Sequence, residues 1–161
     1  MKVEILDIKK HNRKAFDCGV AALNQYLQQS ANQDQKRDLA RVYVLAGDSQ
    51  IIGYYSISAH SVSINKLPDN RKLGVYQDVP FLLLGRLAVH KQHQRQGYGD
   101  ALIFHAFKTT AEIAEKVGIQ GIIVDAKDDN AACFYEKFGF KQLVANKKRL
   151  LLPFSTIKTL F

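Results

Sequence analysis

Apolar residues recur along the chain with two spacings, one typical of strands and the other of helices. Stretches rich in β-branched and aromatic residues predict strands at 41–46 and 51–59. The turn Gly47–Gln50 between them indicates an antiparallel pair. Further short apolar stretches predict strands at 4–8, 81–89, 121–126, 140–144 and 149–152.

Three stretches carry helical spacing. One helix is expected to open at 17–19, a long one to run over 97–117, and a third over 130–138 with Gly139 as its C-terminal cap. The strands before and after the long helix should run parallel, joined by a right-handed crossover. The chain is therefore predicted to have a mixed α/β fold.

Size and composition indicate one domain spanning residues 1–161, with 47% of the residues hydrophobic. A polar loop between Pro68 and Pro80 is expected to belong to that domain. Cys18 and Cys133 lie far apart and have no nearby metal ligands, so neither a disulfide nor a metal site is expected. The chain carries no signal-like or membrane-length apolar run, and a cytoplasmic location is expected.

The net charge of +8 favours an anionic partner, such as RNA or a phosphorylated cofactor. A basic protein that is merely well solvated is the other interpretation, and the charge alone leaves both open.

The stretch Gln94–Gly99 follows an apolar strand and leads directly into the long helix. Backbone N–H groups at a helix N-terminus lack intrahelical partners and lie at the positive end of the helix dipole, an arrangement that suits a pyrophosphate. Two other phosphate motifs are excluded. No Lys follows Gly99 as in a P-loop, and Leu102 stands where the dinucleotide fingerprint requires a third glycine.

The remaining pattern, Gln/Arg-x-x-Gly-x-Gly/Ala after a strand, resembles the acetyl-CoA motif of GNAT-type N-acetyltransferases. Downstream, Asn130–Phe140 is similar to that family's Asn…Tyr-x-x-x-Gly-Phe segment. The resemblance implies acetyl-CoA as co-substrate. It also implies a mostly antiparallel sheet with one parallel strand pair at the acetyl-CoA site and helices on both faces.

The resemblance also implies roles for individual residues. The strand residues Leu87, Ala88 and Val89 would bind the pantetheine arm through their backbone. Asn130 would contact CoA, although it could equally be the N-cap of the third helix. The cofactor's phosphates would be bound by Gln94, Arg95, Gln96, Gly97, Tyr98, Gly99 and Asp100.

Acetylation of an amine needs an unprotonated amine and a proton for the leaving thiolate. The strand at 81–89 contains no carboxylate, so no general base is evident on it. An α-amine, with a pKa of about 7.7–8.0, needs less help than a lysine at about 10.4, so the acceptor is expected to be an α-amine. His60, Asp78 and His90 remain alternative bases.

Tyr135 is the candidate catalytic acid, because a phenol can protonate a departing thiolate. The family's acid occupies this position of the motif. The other interpretation is an aromatic ring that packs beside Phe134 and Phe138.

Residues 16–27 are similar to the Phe-x-Cys-Gly-x-x-x-Leu-Asn/Asp-x-Tyr/Phe-Leu opening of the tRNA-acetylating toxins of type II toxin–antitoxin modules. Residues 84–89 and 126–128 are similar to later segments of the same toxins. This narrower resemblance implies an aminoacyl-tRNA substrate, a ribbon-helix-helix antitoxin and a homodimer. One position departs from the subgroup, which commonly has Asp where this chain has His90.

Basic residues are the candidates for contacting tRNA, and the first choices are Lys36, Arg37, Arg41 and Arg86. Lys36 and Arg37 could equally be a solvated helix end. Arg86 is a lone charge in an apolar strand and should have a partner or face a cleft. Alternative functions are an N-acetyltransferase for a small amine, polyamine or protein N-terminus, and a non-catalytic CoA-binding module.

Overall fold

A computed structural model describes residues 1–67, 76–143 and 146–161. Part of the loop between Pro68 and Pro80, and the last residue of the strand predicted at 140–144, lie outside these ranges. The chain forms two units, residues 1–58 with 85–106 and residues 59–84 with 107–161. The extent of the domain stays a prediction.

The helices and strands alternate much as the hydrophobic pattern predicts. The strands are β1 (Lys2–Ile5), β2 (Arg41–Gly47), β3 (Gln50–Ser63), β4 (Asp78–Val89), β5 (Gly121–Asp125), β6 (Lys141–Leu143) and β7 (Asn146–Pro153). The α-helices are α1 (Ala21–Gln25), α2 (Ala31–Lys36), α3 (Tyr98–Ala114), α4 (Asp129–Glu136) and α5 (Phe154–Ile157). A π-helical turn at Tyr26–Ser30 joins α1 to α2.

The strand order is β1-β2-β3-β4 in the first unit and β3-β4-β5-β7-β6 in the second. The pairs β1–β2, β2–β3, β5–β7 and β6–β7 are antiparallel, whereas β4 and β5 are parallel. The predicted mixed α/β fold, mostly antiparallel with a parallel pair around the long helix, is confirmed. No helix among the described residues is long and apolar enough to cross a membrane.

The core of the first unit lies between the β1–β3 meander and the α1–α2 segment. Phe16, Leu27 and Tyr54 are almost completely buried there. Gly53 permits the close packing of this unit. A Cβ at position 53 would lie 2.8 Å from Leu102 Cδ1 and 2.9 Å from the Ala88 carbonyl oxygen. Glycine is therefore required where β4 and α3 approach β3.

The core of the second unit is formed around the parallel pair, in the register Leu82–Ile122 to Leu84–Val124. Helix α4 begins at its cap Asp128, whose Oδ1 accepts a hydrogen bond of 2.8 Å from the Ala131 N–H. The C-cap of this helix is Lys137 and not the predicted Gly139, which follows two residues later with a left-handed φ of +101°.

Some predicted boundaries were wrong for local reasons. Strand β1 ends at Ile5 instead of residue 8, because the Asp7 carbonyl accepts the N–H groups of Lys10 and His11 in a turn. The first helix begins at Ala21 instead of residue 17, because the Asp17 carboxylate accepts the Gly19 N–H and folds that stretch into a loop.

Candidate active site

The segment between β4 and α3 is a tight turn with two left-handed residues. After a 3₁₀ turn at Lys91–His93, Arg95 has a φ of +64° and Gly97 a φ of +86°. Left-handed residues within a turn are typical of the concave N–H arrangements that bind anions. A Cβ placed on Gly97 would have no neighbour within 4 Å, so the space over this backbone is open.

Gln94 holds this turn in place. Its Nε2 donates to the carbonyl oxygens of Val89 and Cys18, each at 3.0 Å. One bond ties the turn to the end of β4, and the other ties it to the loop before α1. The structure thus brings Gln94, Val89 and the predicted phosphate-binding residues together in the first unit.

The two halves of β4 differ in exposure. The apolar composition of residues 81–89 predicts a strand that is buried on both faces, and this is wrong for its second half, where Gly85 is exposed and Arg86 and Leu87 are partly exposed. The parallel ladder with β5 covers Leu82–Leu84 and ends there. Backbone groups that follow Leu84 are outside that ladder, which suits a strand edge that receives a ligand.

Arg86 stacks on an aromatic ring, which provides the partner expected for a lone charge in an apolar strand. Its guanidinium carbon lies 3.5 Å from the centroid of the Tyr26 ring. The Tyr26 hydroxyl donates to Asp34 Oδ2 at 2.9 Å, and burial, with this bond, raises the pKa of Tyr26 to about 12. Arg86 has no ion pair within the described ranges, so the edge of its guanidinium is available to an anion.

The other basic candidates lie near one another in the first unit. Lys36 ends α2 and Arg37 follows it, and both are exposed, as a solvated helix end would be. Arg41 begins β2 and donates to Asp38 Oδ1 at 2.8 Å. This ion pair is exposed and contributes little to stability.

Tyr135 has a buried ring on α4, with 7% of the residue exposed. The rings of Phe134 and Phe140 pack edge-on against it, at centroid distances of 5.2 and 5.6 Å. Burial raises the pKa of the Tyr135 hydroxyl above its ordinary value, so it keeps its proton at neutral pH.

The Tyr135 hydroxyl has no hydrogen-bond partner among the described residues. Every fully buried side-chain nitrogen or oxygen in that part of the chain does have a partner. The Tyr135 hydroxyl oxygen is therefore not completely buried within the described residues.

Asn130 lies in the first turn of α4 and is exposed. Its alternative interpretation as the helix N-cap is wrong, because Asp128 fills that position. The exposed amide is therefore available to a ligand.

His60 and His90 both use a ring nitrogen in the structure. Nη1 of Arg149 lies 3.1 Å from His60 Nε2, and because a guanidinium can only donate, that nitrogen accepts. Burial, followed by the charge of Arg149, lowers the pKa of His60. His90 is buried, and its Nδ1 accepts the Gln92 N–H at 3.2 Å, which caps the 3₁₀ turn.

The described residues contain no group of three or more His, Cys, Asp or Glu side chains that could hold a metal ion. Sequence reasoning missed Tyr26 as the support for Arg86. It also missed Asp17, whose Oδ2 lies 2.9 Å from Lys91 Nζ in the turn. Both residues belong to the 16–27 motif, which was the available signal.

Residues 38–142 match the Acetyltransferase (GNAT) domain family, and the chain belongs to this family of acetyltransferases. It is 30% identical to "Probable toxin TacT" of Sinorhizobium fredii, over 98% of this chain and 93% of that protein.

Solved structures of a toxin named AtaT are also similar over almost the whole chain. AtaT complexed with acetyl-methionyl-tRNAfMet has a TM-score of 0.91 and 32% identity, covering 99% of this chain and 98% of that one. A Tyr-to-Phe mutant of AtaT bound to the C-terminus of the antitoxin AtaR and to acetyl-CoA has a TM-score of 0.86 and 30% identity, covering 99% and 97%.

Proposed function

We propose that this chain is an acetyl-CoA-dependent N-acetyltransferase that acetylates the α-amine of an amino acid carried on tRNA, and that it thereby acts as a toxin that blocks translation. One observation carries the proposal: the end-to-end similarity to AtaT complexed with acetyl-methionyl-tRNAfMet. The open anion-binding turn and the stacked Arg86 are the features of this chain that fit such a substrate pair.

Acetyl-CoA would bind at the turn between β4 and α3. The backbone of Arg95–Asp100 would bind the pyrophosphate, helped by the N-terminus of α3. Gln94 would hold the turn in place through its hydrogen bonds to the carbonyl oxygens of Val89 and Cys18. Leu87–Val89 would bind the pantetheine arm as an added strand, and Asn130 would contact CoA through its exposed amide.

The reaction needs little beyond positioning and one proton donor. The neutral α-amine attacks the thioester carbonyl, the C–N bond forms, the C–S bond breaks, and the amine loses a proton to water. Tyr135 would protonate the departing CoA thiolate, because its hydroxyl keeps its proton at neutral pH, and the resulting phenolate would regain a proton from water. An α-amine is substantially neutral near pH 8, so a carboxylate base on β4 is not required.

The tRNA would be bound by cations of the first unit. Arg86 is proposed to contact a phosphate near the acceptor end, because its guanidinium is fixed on Tyr26 without an ion pair among the described residues. Lys36, Arg37 and Arg41 would contact phosphates further along the tRNA, as exposed charges around the end of α2.

A ribbon-helix-helix antitoxin and a second copy of this chain are the proposed protein partners. An AtaT mutant in complex with the C-terminus of the antitoxin AtaR supports an antitoxin as a partner. Since aminoacyl-tRNA is used in translation, a cytoplasmic location fits this substrate.

Labelled acetyl-CoA tests the proposal when the protein is offered charged tRNA, uncharged tRNA, polyamines and peptides in parallel. Label is expected on charged tRNA alone among these acceptors. Label on polyamines or peptides, with none on charged tRNA, would overturn the tRNA assignment. No transfer to any acceptor, with acetyl-CoA still bound, would point to a non-catalytic CoA-binding module.

A further inference from the structure

The loop before α1 contacts the proposed phosphate-binding turn at Lys91. Lys91 Nζ lies 2.9 Å from Asp17 Oδ2, and the Lys91 N–H donates to the Asp17 carbonyl at 2.8 Å. Both the charge and the backbone of Asp17 therefore hold the first residue of the 3₁₀ turn.

Asp17 is itself fixed by its neighbours. Its Oδ1 accepts hydrogen bonds from the Gly19 N–H and from Asn24 Nδ2, both at 2.9 Å. Lys91, followed by these two bonds, holds the pKa of the Asp17 carboxyl well below its usual range. The carboxylate is therefore ionised at neutral pH and connects α1 to the turn.

A second connection runs parallel to the first. The Cys18 N–H donates to Asn24 Oδ1 at 2.8 Å, and the Cys18 carbonyl accepts from Gln94 Nε2 at 3.0 Å. The turn is thus held near its beginning by Asp17 and at Gln94 by Cys18. Arg95, with its left-handed backbone, follows Gln94 immediately.

We propose that Asp17 is a positioning residue for acetyl-CoA, which holds the turn at Lys91 in the conformation that binds the cofactor's pyrophosphate. The proposal rests on the proposed function, because it assumes that acetyl-CoA binds at this turn. It explains why an acidic residue lies beside an anion-binding segment: Asp17 acts through Lys91 and the backbone and does not touch the phosphate.

The direction in which the acetyl-CoA affinity changes when Asp17 is replaced distinguishes a positioning role from a long-range electrostatic effect. Removing a negative charge near an anionic ligand should strengthen binding if only the long-range attraction matters. If Asp17 positions the turn, its removal should weaken binding instead. The two accounts therefore predict opposite changes in the affinity for acetyl-CoA.

The experiment compares Asp17→Asn and Asp17→Ala with the parent protein by calorimetric titration with acetyl-CoA. The Kd is expected to rise roughly fivefold, the size expected for the loss of an exposed ion pair. In steady-state assays the KM for acetyl-CoA should rise while kcat at saturation stays unchanged, which a loss of folded protein would not produce. Asp38→Ala is the matched control, since it removes an exposed ion pair with Arg41 in the same unit.

A double-mutant cycle with Lys91→Met tests whether Asp17 acts through Lys91. The combined effect should be smaller than the two single effects multiplied together. If the parent binds acetyl-CoA and Asp17→Asn binds it equally well or more tightly, the positioning role of Asp17 is overturned and the proposed function is not. Failure of the parent to bind acetyl-CoA overturns the proposed function as well. The isosteric Asn variant provides the test if Asp17→Ala does not fold.

Discussion

At the scale of single residues, aromatic rings hold two of the side chains proposed to act. Tyr135 is packed between Phe134 and Phe140, and Arg86 lies over Tyr26. Ring packing restricts a side chain to few rotamers while its polar end stays accessible. Tyr135, the proposed acid, and Arg86, the proposed contact to a tRNA phosphate, are therefore both held in place before a substrate binds.

Replacing Tyr135 by Phe should lower kcat by about a hundredfold or more, because general acid catalysis contributes at least that much. The buried ring remains, so folding and the Kd for acetyl-CoA should be unchanged. Rates measured at saturating acetyl-CoA and charged tRNA check this. Tyr76→Phe, which removes an exposed hydroxyl, is the control and should leave the rate unchanged. A Tyr135→Phe variant as fast as the parent would remove Tyr135 from the mechanism.

Glu4 gives the stability of the fold a pH dependence. Its carboxylate lies 2.8 Å from Lys10 Nζ and 2.9 Å from His11 Nε2, and Lys10, followed by His11, lowers the pKa of Glu4 from 4.5 to about 2. Because the folded pKa is depressed, the stabilisation is fully present above about pH 4.5 and is lost as the pH falls towards 2.

Glu4→Gln should therefore be less stable than the parent at neutral pH, by an amount that stays constant down to about pH 4.5. The difference should shrink below that pH. Urea unfolding of both proteins between pH 7 and pH 3 measures it. A difference that grows on acidification would contradict the assignment.

At the scale of elements, the turn between β4 and α3 depends on the backbone of Gly97. A Cβ at this position meets nothing within 4 Å, so the cost of a larger residue comes from its φ of +86° alone. Gly97→Ala should lose about 1 kcal/mol of stability through left-handed strain, and should also bind acetyl-CoA more weakly. Thermal unfolding and calorimetric titration measure the two effects.

Gly118→Ala is the matched control for this variant. A Cβ at position 118 also meets nothing within 4 Å, and Gly118 is not among the glycines with positive φ. Its stability and acetyl-CoA affinity should stay close to those of the parent. Equal effects at positions 97 and 118 would show that left-handed geometry is not what the turn requires.

The same turn shows what could be predicted from the sequence. Gly97 and the apolar strand before it carry a local signal, so the position of this turn and the parallel strand pair were predicted. The turn at residues 47–50 likewise predicted the hairpin of β2 and β3. Phosphate binding at the turn between β4 and α3 stays a prediction. The contact between Arg86 and Tyr26 could not be predicted, because it joins residues far apart in sequence. The cap at Asp128 was missed because Asn130, two residues later, carries a similar capping signal.

At the scale of the whole molecule, the net charge of +8 predicts that the proposed tRNA binding depends on salt. Arg86→Gln should weaken tRNA binding and reduce the slope of log Kd against log salt by about 1, the loss of one phosphate contact. Binding measured at a series of salt concentrations gives this slope. Lys116→Gln, an exposed cation near the end of α3, should leave the slope unchanged, and a slope unchanged in Arg86→Gln would remove Arg86 from the interface.

The central claim concerns the atom that receives the acetyl group. Charged tRNA is incubated with acetyl-CoA and the protein, and nuclease digestion then releases the 3′-terminal aminoacyl-adenosine for mass spectrometry. The account predicts one added acetyl group on the α-amine of the amino acid, and little or none with the Tyr135→Phe variant. An unmodified aminoacyl-adenosine, in a reaction where the protein binds acetyl-CoA and acetylates another amine, would contradict it.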